Sequence, residues 1–160
     1  MSSTEGEPLY TIDEGFQDSS SRCCQEILAN LQQLKLPISQ AQLQEISPTA
    51  LAYLGDAVYE LHMRMFYLLP PQRPETYHRM VVSQVRAETQ ALHLQILIPH
   101  LLSSELEIVR RGRNAASGRP KRLTLQIYQQ ATSLETLIGY LFLTDQARLT
   151  ELLQKIPLER

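Results

Sequence analysis

Between Ser47-Pro48 and Pro70-Pro71, apolar residues recur at steps of three and four: Leu51, Leu54, Val58, Leu61, Met65 and Leu68. That period predicts an amphipathic helix of about five turns. Serine is a good N-cap and proline suits the first helical position, so the start is well marked. The other side of the same helix carries Ala52, Asp56, Tyr59 and Met63, with Gly55 beside the acid. A helix apolar on two sides belongs inside a bundle.

Further helices are predicted over 24–36, 75–98, 104–111, 123–143 (with a break near Thr132-Ser133) and 146–156. Apolar spacing marks each one and Pro37, Pro99 and Pro157 mark ends. No alternating, strand-like pattern is present, so the fold class is all-α. The chain divides into an acidic leader over 1–21, a helix and connection over 22–46, a body over 47–156 and a tail over 157–160. Residues 1–46 hold seven acids against Arg22 and Lys35, a net of −5, and the rest holds ten acids against thirteen Lys/Arg, a net of +3. The only cysteines, Cys23 and Cys24, are adjacent, which suits neither a disulfide staple nor a metal knuckle. The leader has no apolar run, and Leu92–Leu102 is too short and polar to span a bilayer, so a cytoplasmic protein without membrane contact is expected.

Two acids sit in unsuitably apolar settings. Asp56 lies in LAYLGDAVYEL and Glu135 in ATSLETLIGYLFL, each near a helical glycine. A buried acid is costly unless something compensates it. Two such acids on two apolar helices point to a place where helices touch and carboxylates meet, and Mg²⁺ is the economical compensator. Two blander readings stand beside this: Thr132-x-x-Glu135 fits a capping box, and Asp56 could pair with an arginine such as Arg86.

Between the two motifs lies RRGRNAASGRPKR. Its six cations, Arg110, Arg111, Arg113, Arg119, Lys121 and Arg122, occupy thirteen residues with no acid, and Asn114 adds a donor. Read as a mobile loop, it suits phosphates and 2′-hydroxyls of duplex RNA; a plain solvated loop is the alternative. His62, His78, His93 and His100 show no spacing that pairs them with Asp56.

LAYLGDAVYEL, the basic segment and ATSLETLIGYLFL, in that order, resemble the catalytic domain of the ribonuclease III family, and in particular its Mini-ribonuclease III branch. The resemblance covers roughly residues 47–155. It implies an all-helical, Mg²⁺-dependent endonuclease for double-stranded RNA, working as a homodimer and leaving 5′-phosphate ends. It further implies trimming of the 23S ribosomal RNA precursor, with a ribosomal protein as a further contact. Asp56 and Glu135 match two of the family's acids as catalytic residues and metal ligands. Two further acids of full-length members fall at Thr49 and Thr132 here. A non-catalytic duplex-RNA or ribosome-binding module of the same fold is the competing expectation.

Overall fold

The computed structural model describes residues 34, 36–118 and 121–159. The leader over 1–21 and the helix expected over 24–36 fall outside these, apart from Leu34 and Leu36, which are not helical. The described residues form seven α-helices and no strand: α1 Gln40–Glu45, α2 Pro48–Leu68, α3 Pro74–Val85, α4 Ala87–Leu97, α5 Ser103–Ala115, α6 Leu125–Thr144 and α7 Gln146–Leu153, with a 3₁₀ turn at Ile98–His100.

Local chemistry sets most of the helix starts. Ser39 and Gln42 cap α1 reciprocally. Ser47 Oγ accepts from the Ala50 amide at 3.1 Å, and Pro48 opens α2. Thr124 Oγ1 takes the Ile127 amide of α6 at 3.2 Å, and Asp145 takes the Arg148 amide of α7 at 2.9 Å. Each such cap satisfies a backbone donor that has no partner within its helix.

The structure departs from the sequence reading in five places, the first being α1 itself, which lies in the expected connection. The helix expected over 75–98 is two helices, because Arg86 is extended (φ −68°, ψ 150°). There the Thr89 hydroxyl donates to the Ser83 carbonyl at 2.7 Å and receives Arg86 Nε at 3.1 Å, side-chain bonds that replace helical ones. The buried face of α2 overlaps the Leu51–Leu68 stripe only in part: Leu51 and Val58 are buried as expected, joined by Ala52, Gly55, Tyr59, His62, Met63, Phe66 and Tyr67, while Leu61 and Leu68 are exposed. α5 continues a full turn past Arg111. α6 is unbroken at Thr132-Ser133, where the Ser133 and Thr136 hydroxyls are satisfied inside the helix by donating back to the carbonyls of Gln129 and Thr132, both at 2.7 Å.

α6 is the central helix, packed on α2, α4 and α5, while α3 covers α2. Tyr59, Met63, Leu97, Leu134, Leu137 and Ile138 are almost wholly enclosed, and burying side chains of this size stabilises by about 1.5–3 kcal/mol each. One polar clasp joins the far end. Arg148 of α7 donates to the buried Glu105 carboxylate through Nε at 2.7 Å and Nη2 at 3.0 Å, and to the His100 carbonyl at 2.7 Å. Glu105 also accepts the Leu102 amide that opens α5. No helix among the described residues is long and apolar enough to cross a membrane.

Candidate active site

The site forms where α2 crosses α6, and two glycines set how closely. A Cβ placed on Gly55 would lie 1.8 Å from the Glu135 carbonyl oxygen; one on Gly139 would lie 2.0 Å from that of Leu51. Only residues without a side chain permit backbones this near. Gly55 is followed by Asp56, and Gly139 lies one turn beyond Glu135, so the crossing brings the two acids to one place.

Their electrostatics reflect that crowding. Burial, followed by the neighbouring negative charge of Asp56, pushes the Glu135 carboxyl up from 4.5 to about 7. Burial and the adjacent Glu60 likewise raise Asp56 above its ordinary value. Desolvation and like charge both disfavour ionisation, and here they act together. No lysine or arginine among the described residues forms an ion pair with either acid: Glu60 is bound to Arg64, and Arg86 is occupied by Thr89. The alternative Asp56–Arg86 pairing is therefore absent. The capping-box reading of Glu135 also fails, because Thr132 lies inside α6 rather than at its start.

A third residue completes the cluster. Gln90, on the buried face of α4, has its side chain near enough to Glu135 to favour the ionised form. Sequence reasoning misses it, although its place four residues before Leu94 and seven before Leu97 puts a polar amide on an apolar stripe. One turn on, the Tyr59 hydroxyl is hydrogen-bonded to His93 Nδ1, tying α2 to α4. Burial holds the His93 and His62 imidazoles down near 4, so neither is an acid–base group poised at neutral pH.

Half-buried carboxylates with raised pKa values, with Glu60 near one and Gln90 near the other, suit a hard divalent cation, whose charge would relieve the repulsion that burial amplifies. No group of three or more His, Cys, Asp or Glu gathers among the described residues, so a cation here would draw on two carboxylates, neutral oxygens and water. Two clefts, of about 370 and 470 Å³, lie elsewhere and include neither acid.

The basic segment is only partly a loop. Arg110, Arg111, Arg113 and Asn114 are on α5, and Gly112 is buried where a Cβ would meet Thr136 Oγ1 at 2.4 Å. Gly112 is therefore a packing glycine and not a source of mobility. Arg110 is bound to Glu107 at 2.6 Å. Arg113 lines the larger cleft beside Gln126, Gln129 and Gln130. Lys121 and Arg122 are outside any helix, and Arg119 falls outside the described residues.

Residues 49–146 match the family model described as the Ribonuclease III domain. That match gives the class: a ribonuclease III domain, with both acids and α5 inside it. Among similar proteins, the Mini-ribonuclease 3 of a Synechococcus species is 58% identical, over 75% of this chain and 87% of that one. The Mini-ribonuclease 3 of a Synechocystis species is 54% identical, over 76% and 85%. A crystal structure of protein FN1578 from Fusobacterium nucleatum superposes with a TM-score of 0.65 at 30% identity, covering 69% of this chain and 91% of that one. The chain belongs to the ribonuclease III family, on its Mini-ribonuclease 3 branch, and is an endoribonuclease.

Proposed function

We propose that this protein cuts double-stranded RNA by Mg²⁺-dependent hydrolysis at the α2–α6 crossing, with Asp56 and Glu135 as the catalytic carboxylates and cation ligands. The observation that carries the reading is the apposition of two acids that both hold their protons above the ordinary range, Glu135 in part through the charge of Asp56, and that are unpaired with any cationic side chain among the described residues, in a ribonuclease III domain. When bound, Mg²⁺ supplies an acidified water and neutralises charge on the phosphate. Asp56 and Glu135 hold and orient that hydrated ion, and the tight helix crossing fixes their separation. The neutral His62 and His93 stay within the core, so hydrolysis leaving 5′-phosphate ends is favoured over histidine chemistry.

Arg111, Arg113, Lys121 and Arg122 are the grip on the phosphate backbone, with Asn114 as a donor and Arg119 extending the segment. Arg110 contributes less because Glu107 already engages it. The substrate proposed is the 23S ribosomal RNA precursor. A two-fold homodimer would present two sites to the two strands of one duplex, and a ribosomal protein is the further partner. The cytoplasm is the proposed location.

Duplex RNA incubated with Mg²⁺ tests the reading. The parent is expected to cleave, while Asp56→Asn binds the duplex and leaves it whole. Equal cutting by both removes Asp56 from the mechanism; binding without cleavage by the parent makes the domain a non-catalytic module.

A further inference from the structure

Gln90 has a feature that holding Glu135 does not explain. The residue is 1% exposed, and its carbonyl oxygen Oε1 is buried without a hydrogen-bond partner. Its neighbours on the inner face of α4 are Ala91, His93, Leu94 and Leu97. A leucine would fill such a position without stranding an oxygen, so the amide carries a cost that packing does not return. Oε1 and Nε2 share one carbon, so this stranded oxygen is next to the atoms that face Glu135.

The chemistry of that oxygen is specific. It is a neutral acceptor on the side chain that meets Glu135, and it cannot take a proton from that carboxylate while the acid is ionised. It can face a positive charge or a water, and a carbonyl is the type of oxygen that hard divalent ions accept alongside carboxylates.

We propose that Gln90 is the third protein residue of the cation site, its Oε1 facing the hydrated ion directly or through one water while its amide nitrogen positions the Glu135 carboxylate. The inference rests on the cation reading above. Two carboxylates balance the charge of one divalent ion, and the neutral amide adds an oxygen without adding charge. It is a positioning residue that touches the ion or its water shell, and no reacting atom of the RNA.

MgCl₂ titration without RNA tests this, read by melting temperature and by calorimetry at pH 8 on the full chain. The variants are Asp56→Asn, Gln90→Leu and Gln90→Glu, with melts in EDTA reporting the fold of each. The parent is expected to bind Mg²⁺ and Asp56→Asn to lose binding. Gln90→Leu should weaken half-saturation at least tenfold while melting in EDTA close to the parent or above it. Gln90→Glu should bind more tightly than the parent, yet be the least stable variant in EDTA. Half-saturation in Gln90→Leu within twofold of the parent overturns the role of Gln90 and leaves the cation reading standing. If Gln90→Leu does not fold, a half-saturation in Gln90→Glu equal to the parent's overturns it instead. A parent that takes up no Mg²⁺ overturns both.

Discussion

Replacing Glu135 by glutamine should make the metal-free protein more stable at high pH while removing its activity. The carboxyl titrates near 7 in the folded chain against an ordinary 4.5. Its raised value means that the folded state holds the proton more tightly than the unfolded one. Below about pH 4.5 both states are protonated and the site costs nothing; as pH rises through 7 the folded state is penalised by about 3 kcal/mol. Glutamine has nearly the same shape and never ionises. In urea melts with EDTA, Glu135→Gln should therefore match the parent near pH 4.5 and exceed it by about 3 kcal/mol at pH 8. With a slope of about 2 kcal/mol per molar, its midpoint rises by roughly 1.5 M. Taking the difference between variant and parent cancels other groups that titrate in the same range, His62 and His93 among them. Mg²⁺ should narrow the gap at pH 8 by stabilising the parent alone. A variant no more stable than the parent at pH 8, or equally advantaged at both pH values, refutes the claim that the acid is held under electrostatic strain.

Other consequences follow from the same geometry. Gly55→Ala places a methyl 1.8 Å from the Glu135 carbonyl oxygen, so α2 and α6 must separate at a cost of about 3 kcal/mol or more, measurable by denaturant melts. Arg148→Ala leaves the Glu105 carboxylate buried without its partner and should cost about 3–5 kcal/mol. The Arg148 hydrogen bonds hold Glu105 below its usual value, so the clasp is intact above about pH 4.5 and its contribution fades as pH falls further. Charge reversal at Arg111 and Arg113 should weaken RNA retention and lower the salt slope by roughly one for each phosphate no longer neutralised, whereas Arg110→Ala, already bound to Glu107, should have the smaller effect.

Some of this is legible in the sequence because the governing signals are local. Ser47-Pro48 marks the start of α2 by cap chemistry alone. Gly55 and Gly139 beside Asp56 and Glu135 anticipate a close crossing, because a helical glycine is disfavoured unless a neighbour needs the space. The parts that escape depend on three-dimensional partners. Apolar periodicity runs through Arg86 unbroken, and only the Thr89 hydroxyl reaching the Ser83 carbonyl reveals the division into α3 and α4. Gly112 and its flanking arginines have a loop-like composition, but the surface of α6 at Ser133 and Thr136 draws them into a helix. The inner face of α2 differs from the expected stripe because Ala52, Gly55 and His62, weak in hydrophobicity, are the residues that fit against its neighbours. Gln90 escapes notice since an amide carries no charge to mark it in sequence; its meaning comes from the acid across the helix interface.

Whether Asp56 and Glu135 share a divalent ion is open to direct test by diffraction from crystals soaked in Mn²⁺, collected where manganese scatters anomalously. A peak is expected between the two carboxylates, absent from Asp56→Asn crystals soaked identically. A map with no peak there, and with the two acids bonded to each other through a shared proton, would overturn the shared-ion site.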